Sequence, residues 1–472
     1  MQIPTLKYAA ILALAASVTP RALAVNDSAL IDILQRKGVL SEKEANSVRE
    51  ELAHSPGDSA SKIKLNSAVS ELKLYGDLRF RYQYDEKDTQ LTNAQGGGSN
   101  VSQQSRWRFR LRLNADLRLG EHVFGGVEVQ TAKVPDSGNQ TYGNGFSDFD
   151  IFISRAYMGW HPNEWLTITG GKFANPFYTT ELLWDSDINP TGVAEVIAFH
   201  HLIDDADGTG GTAKDGKTSK AMIATERPWT LSLVAGQFIF QDNNESNGPD
   251  GDSSTDAYLF QTQLIGSYKF GRTKVTLAPG WLTYINGSLN GIDNGTSYND
   301  AFIGQGGTRA LNLLLAPGDV SLKLAGVKTK FYWDFSYNFD GEKRVQGIYG
   351  LANKAGNPQH RTKDDFAWLA GVQIGENHMA GDWSLMANWR QTGLGAVDPN
   401  LNDSDYALGQ LNTRGAKFVG SYNLTDFTVF SLTYDYAWNL RNTLFGGQTT
   451  GGSAVANSNV VNSLLVEFLL KF

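Results

Sequence analysis

Residues 106 to 119 read Arg106-Trp107-Arg108-Phe109-Arg110-Leu111-Arg112-Leu113-Asn114-Ala115-Asp116-Leu117-Arg118-Leu119. Successive side chains of a strand point to opposite faces. The run therefore sorts itself, with Arg, Asn and Asp on one face and Trp, Phe, Leu and Ala on the other. One face requires water and the other an apolar medium. At ~3.4 Å per residue the run reaches roughly 45 Å, longer than an ordinary globular strand and enough to cross a bilayer at a tilt. It reads as a stave of a transmembrane antiparallel β-barrel. A barrel with a wet interior shows only alternate residues to lipid, so the mean hydropathy of −0.31 does not argue against it.

The rest of the 472 residues contains no stretch of about 20 apolar residues, which excludes helical membrane spans. Lys7, the apolar run from Tyr8 to Val18 and the small-residue pattern Ala22-Leu23-Ala24 give residues 1–24 the form of a secretory signal peptide. The chain has no Cys, hence no disulfide and no Cys for a lipid anchor. Loss of residues 1–24 leaves 39 basic and 49 acidic residues, a formal charge of −10, which argues against nucleic acid as a partner. At the other end Leu464, Val466, Phe468, Leu470 and Phe472 alternate with polar positions that include Glu467 and Lys471. This resembles the C-terminal signal of bacterial outer-membrane proteins, and implies the barrel-assembly machinery as a partner through Phe472.

Residues 25–66 form a separate short segment. Ala29, Leu30, Ile33 and Leu34 share a helical face, Gly38 suits a helix stop, and Ser41 to Glu44 has capping-box spacing. Two amphipathic helices are expected, followed by a linker at Ser55-Pro56-Gly57-Asp58-Ser59. Residues 67–472 then alternate strand patterns with turn chemistry. The strands are expected near 71–84, 103–118, 121–133, 150–160, 164–173, 219–226, 230–241, 256–269, 273–285, 308–316, 321–338, 366–377, 382–393, 412–423, 427–440 and 459–472. The fold class is thus all-β, a barrel of about sixteen strands (eighteen remain possible) with a short α-helical periplasmic segment before it. Tight turns such as Gly271-Arg272 alternate with long Gly/Asn/Asp/Ser-rich loops, the pattern of short periplasmic turns and long external loops. Aromatics at Phe331, Trp333, Phe335, Tyr337 and Phe339, and again at Tyr434, Tyr436 and Trp438, suit an interfacial girdle. Sixteen strands leave an aqueous lumen.

The longest connection, 174–218, lies between the fifth and sixth expected strands and carries Glu181, Asp185, Asp187, Glu195, Asp204, Asp205 and Asp207. Folded into the lumen it would face Arg79, Arg81, Arg106, Arg108, Arg110 and Arg112 on the polar face of the first two strands. Acid on a loop against Arg on the wall sets a transverse field across a constriction. The alternative is that the arginines pair with neighbouring carboxylates such as Asp77, Asp116 and Glu128 and hold the ladder together; the two roles can coexist. The candidate pore-lining set is accordingly the six arginines with Glu181, Asp185 and Asp187.

At this loop Gly171-Lys172-Phe173-Ala174-Asn175-Pro176-Phe177, followed by Glu181-Leu182-Leu183-Trp184-Asp185-Ser186-Asp187-Ile188-Asn189-Pro190-Thr191-Gly192, resembles the putative porin family of Gram-negative bacteria. The helical segment from Ala29 to Leu52 shares that resemblance. It implies a channel in the outer membrane of a Gram-negative cell, in contact with lipid and lipopolysaccharide, and carries over no defined substrate residues.

Other motifs are weaker. Gly211 to Thr218 satisfies the phosphate-loop pattern, but Asp204, Asp205 and Asp207 precede it where that loop needs an apolar strand. The acidic stretch Asp242 to Asp252 lacks EF-hand spacing, and His200-His201 has no third ligand at metal spacing. No cofactor, metal or enzymatic step is expected. The reading is a porin, a homotrimer passing small hydrophilic solutes and ions by passive diffusion. The alternatives are a substrate-selective channel for anions or oligosaccharides, and a structural tether between outer membrane and cell wall.

Overall fold

The computed structural model describes residues 66–89, 100–132, 137–143, 145–206, 228–241, 257–285, 311–345, 364–440 and 460–472. The expected signal peptide, the helical segment and both the phosphate-loop and acidic-loop motifs lie outside them. The chain divides into two units, Met1–Asn66 and Ser67–Phe472. The second is the barrel.

Its first half contains β1 (Val69–Thr89), β2 (Asn100–Leu119), β3 (Val123–Gln130), β4 (Gln140–Thr141), β5 (Phe152–Asn163), β6 (Leu166–Lys172), β7 (Thr191–Ala198), β8 (Trp229–Gln241) and β9 (Ala257–Phe270). Its second half contains β10 (Thr273–Leu277), β11 (Gly280–Ile285), β12 (Asn312–Leu315), β13 (Gly318–Leu324), β14 (Val327–Asn338), β15 (Phe366–Gly375), β16 (Trp383–Thr392), β17 (Thr413–Asn423), β18 (Thr428–Asn439) and β19 (Val460–Lys471). All ladders are antiparallel, and β19 pairs back onto β1 to close the sheet. The described segments make sixteen staves. β4 prolongs β3 along β2, β10 and β11 both pair with β9, and β12 and β13 both pair with β14.

Two of these interruptions have one cause. Pro279 and Pro317 cannot donate to a ladder, so neighbouring staves break side by side while the proline carbonyls still accept, Leu264 N to Pro279 O at 2.9 Å and Ala278 N to Pro317 O at 2.9 Å. Pro317 also accounts for a misplaced boundary. The expected strands 308–316 and 321–338 split the chain at the proline, whereas the reversal lies at Ala325 and Gly326 and residues 312–324 form one stave.

The 106–119 run lies within β2, paired with β1 along twenty positions from Val69↔Leu119 to Thr89↔Asn100. Arg110 and Asn114 are buried inside, and Trp107 and Leu113 are exposed outside. The girdle residues Phe331, Phe339, Tyr434 and Tyr436 are likewise outward and exposed.

The sixth stave is not 219–226, which lies outside the described residues, but β7. Its pattern gave no wet face because its inward side chains, Ala194 and Val196, meet an apolar core and not water. The connection 174–218 is therefore three pieces. Residues 173–190 enter the barrel, β7 returns to the short-turn end, and helix α1 (Phe199–Ala206) follows there. This takes Asp204 and Asp205 to the end opposite the inward loop; Asp207 lies outside the described residues. Glu195, on the other face of β7 from Ala194, points outward.

Closure depends on one glycine. Gly76 N donates to Phe472 O at 2.8 Å and Phe472 N to Gly76 O at 3.1 Å. A Cβ at Gly76 would lie 2.4 Å from Arg112 O and 2.9 Å from the Phe472 ring. Gly76→Leu is expected to reduce sharply the fraction of chain that refolds into the compact, heat-modifiable form seen on electrophoresis. Gly266→Ala, where a Cβ meets nothing closer than 3.6 Å, should leave that fraction unchanged.

Candidate functional site

Loop 173–190 touches walls on opposite sides of the barrel, which only a path through the interior allows. Asp187 Oδ1 accepts from Arg112 Nη2 on β2 at 2.6 Å. Tyr178 Oη donates to Asp319 on β13, and Thr180 Oγ1 to Asp334 on β14 at 2.6 Å. Glu181 accepts from Asn388 Nδ2 on β16 at 2.7 Å and from Lys417 Nζ on β17 at 3.1 Å. The acidic loop between the fifth and sixth staves runs inward over residues 173–190, a shorter span than the expected 174–218.

A second loop also enters the barrel. Residues 393–412, between β16 and β17, are mostly buried, and they interlock with the first loop. Asp185 N donates to Leu401 O at 2.5 Å and Asp403 N to Glu181 O at 3.2 Å. Ser404 N and Oγ donate to Asp185 Oδ2 at 3.1 and 3.2 Å. The sequence reading placed this stretch among the external loops because its Gly, Asn and Asp content looks like solvated surface. The signal against that was Leu394, Val397, Leu401 and Leu411 within one loop, and all four are buried.

These apolar residues join Phe173, Phe177, Leu182, Leu183 and Trp184 of the first loop in one core with inward side chains of the wall, among them Val234, Phe238, Leu259, Leu282, Leu313 and Leu369. The β7–β15 side of the interior is therefore dry. Each fully buried side chain of this size contributes about 1.5–3 kcal/mol, whereas a buried ion pair largely spends its attraction on its own desolvation. Apolar burial holds the loops in. The ion pairs set where their polar edges stop.

Those edges face β16–β19 and β1–β5. Lys417 and Arg390 bridge both loops, with Nζ of Lys417 at 3.1 Å from Glu181 and 3.0 Å from Asp403, and Arg390 Nη2 at 3.1 Å from Asp403. The Arg390 guanidinium also stacks 3.5 Å from the centre of the Tyr406 ring. Asp405 takes Arg81 with both oxygens, Nη1 at 2.8 Å and Nη2 at 2.9 Å. Lys417, Arg390, Asp403 and Asp405 were not among the sequence candidates, since isolated charges in strands and loops carry no spacing that reveals them.

All nine sequence candidates lie in the barrel interior, in two groups with Asp185 between them. Arg79 reaches Asn139 at 2.7 Å and Glu467 at 3.3 Å, and Arg81 reaches Glu467 at 2.8 Å. Arg106 pairs with Asp85 at 2.6 Å. Arg108 bonds Gln83 at 3.0 Å, Ser137 at 3.3 Å and the Asn139 carbonyl at 3.4 Å. Arg110 takes Asp77 at 2.9 Å and Asp187 at 3.5 Å. Of the three neighbours considered as ladder partners, Asp77 serves this arginine face, Glu128 pairs with Arg155 instead, and Asp116 accepts from Tyr157. Asp187 closes the first group; Glu181 stands in the second, with Lys417 and Arg390. Asp185 stands at the seam between the loops.

Two cavities border these edges. The larger, about 560 Å³, is lined by Arg112, Arg155, Glu181, Trp184, Asp403 and Lys417 among others. The smaller, about 230 Å³, is lined by Arg79, Arg110, Arg112, Ser137, Asn139 and the acids of both loops. Among the described residues no group of three or more His, Asp or Glu is placed to hold a metal ion.

The acids titrate differently. Burial raises the Asp185 carboxyl to about 8, helped by Asp403 and Asp187 beside it. Burial acts on Glu181 in the same sense, but Lys417 and Arg390 outweigh it and bring the carboxyl down to about 2. Asp187 is held low by Arg112 and Arg110 against the effect of burial.

A model of the family described as Putative porin matches residues 58–299. No curated protein matches the chain. Among solved structures, OmpF of Salmonella typhi in complex with daunomycin is 12% identical over 85% of this chain and 97% of its own, with a TM-score of 0.40. A mutant porin of Rhodopseudomonas blastica is 10% identical over 85% of this chain and 100% of its own, with a TM-score of 0.39. The Vibrio cholerae outer membrane protein OmpT lacking loop L8 is 9% identical over 86% and 100%, with a TM-score of 0.40.

The raised Asp185 value fixes the sign of a pH effect. A carboxyl whose folded value lies above its ordinary value of 3.8 stabilises the folded seam fully below about pH 4, and that contribution is lost as pH rises toward about 8. Near-ultraviolet circular dichroism from Trp184, followed on heating, should show the loop packing melting earlier as pH rises through this window. Asp185→Asn should flatten that dependence; a slope equal to the parent's would count against the assignment.

Proposed function

Since the chain belongs to the putative porin family, we propose that this barrel is an outer-membrane diffusion channel of a Gram-negative bacterium. It passes small hydrophilic solutes and ions along the polar side of its interior. One observation carries the reading: two loops fill the dry side of a closed sixteen-stave barrel, and their charged edges face the arginine wall across polar cavities. Transport then needs no chemical step. Size exclusion and the field between loop acids and wall cations decide what passes.

The six arginines with Glu181, Asp185 and Asp187 line the narrow part of this path, joined by Lys417, Arg390, Asp403 and Asp405. A substrate-selective channel is the second reading, favoured by the extent to which two interlocked loops occupy the lumen. Small anions are its first candidates because six arginines share one wall. We place the chain in the membrane as a homotrimer in contact with lipid and lipopolysaccharide, assembled through recognition of the β19 end at Phe472.

Purified protein in planar bilayers should show discrete conductance steps. Weak ion preference supports a general pore, and saturation by one solute supports the selective reading. Arg108→Gln is the sharpest single change, because the hydrogen bonds of that guanidinium go to neutral groups. Together with Arg110→Gln and Arg112→Gln it should move the reversal potential in a salt gradient toward cation preference. An unmoved potential would show that these residues serve only the ladder.

A further inference from the structure

The two cavities share five lining residues, Arg112, Asp185, Ser186, Asp403 and Asp405. Residues common to both mark the neck between them. Two of the five, Asp403 and Asp405, belong to loop 393–412, so the second loop borders both cavities as the first does.

The smaller cavity has two sides of opposite charge. Arg79, Arg110 and Arg112 stand on the wall, and Asp187, Asp403 and Asp405 stand on the loops. Asp185 also borders it, and with a carboxyl near 8 it carries a proton at neutral pH. Three guanidiniums then oppose three carboxylates. The Asp405 side chain is 32% exposed, against 11% for Asp403 and 15% for Asp187, so among these three carboxylates it is the one most presented to solvent. On the wall side the Arg112 side chain is 17% exposed.

A lone cation drawn to Asp405 meets Arg81 and Arg112, and a lone anion drawn to Arg112 meets the loop acids. A short molecule with an ammonium at one end and a carboxylate at the other satisfies both sides at once. The volume agrees. At about 230 Å³ the cavity has room for several waters, and so for a short solute of this kind.

We infer that the smaller cavity is a binding subsite for small zwitterionic solutes, with Asp405 receiving the ammonium and Arg112 the carboxylate. The inference rests on the reading of the barrel as a channel and narrows it to a solute class.

The test is block of small-ion current through the full-length protein in planar bilayers by three solutes of one skeleton: γ-aminobutyrate, butyrate and butylammonium. The zwitterion should block saturably, with a half-blocking concentration at least about tenfold below either mono-ion, the discrimination expected of a charge-assisted hydrogen bond. Asp405→Asn should remove that advantage and improve block by butyrate, and Arg112→Gln should remove it and improve block by butylammonium. Equal block by all three on the parent protein overturns the inference, whatever the variants do, and leaves the channel reading in place. Absence of any conducting species overturns both.

Discussion

Like charges face each other directly across the first ladder of this barrel. Arg79 is paired in register with Arg110, and Arg81 with Arg108. Opposed guanidiniums destabilise a ladder unless counter-charge reaches them; Asp77 of β1 supplies part of it, and the rest comes from three distant parts of the chain. Glu467 arrives on the closing strand β19, Asp187 on the first inward loop and Asp405 on the second. Closure of the barrel and the inward path of both loops therefore converge on one basic patch. Removing one member of such a buried set costs about 3–5 kcal/mol, so the loops and the seam between β1 and β19 are energetically coupled.

The interior divides along the same line. On the β7–β15 side the wall is largely apolar, with Asp319 and Asp334 bonded to the first loop, and the loops bury their Leu, Phe and Trp side chains against it; on the other side the wall is charged and the loops end in carboxylates. A water-filled barrel of sixteen strands is wide. In this one the loops pack on the apolar side and reach across to the basic wall, and opposite charges line the cavities beside them. Loop 393–412 also contains Ala407 and Leu408 with left-handed backbone, φ 50° and 55°, a conformation that costs non-glycine residues about 1–2 kcal/mol each. Burial of Ala407 under Asp435 and the stacking of Tyr406 on Arg390 hold that turn in place.

Legibility from sequence followed the solvent contrast. Where a stave has one polar and one apolar face, as in β1, β2 and β18, alternation gives both its existence and its faces. Where the inward face meets an apolar core, as at Ala194 and Val196 of β7, no contrast existed and the stave was placed at 219–226. The break at Pro317 falls inside a stave because the neighbouring Pro279 lets two staves break together. Arg79 to Arg112 were visible because they repeat every second residue. Lys417 and Arg390 repeat with nothing, and only the approach of Glu181 and Asp403 gives them a role.

By itself the sequence determined that this chain is an antiparallel barrel of about sixteen strands with a basic inner face on its first two staves and an acidic loop able to oppose it. Those conclusions needed only period-two alternation and turn chemistry, which act between residues close in the chain. The tertiary structure decided that loop 393–412 also enters the lumen, that half of the lumen is dry, and which carboxylate meets which arginine. Such pairings join residues far apart in the chain, 386 positions for Arg81 and Glu467, and contacts at that separation leave no local pattern to read.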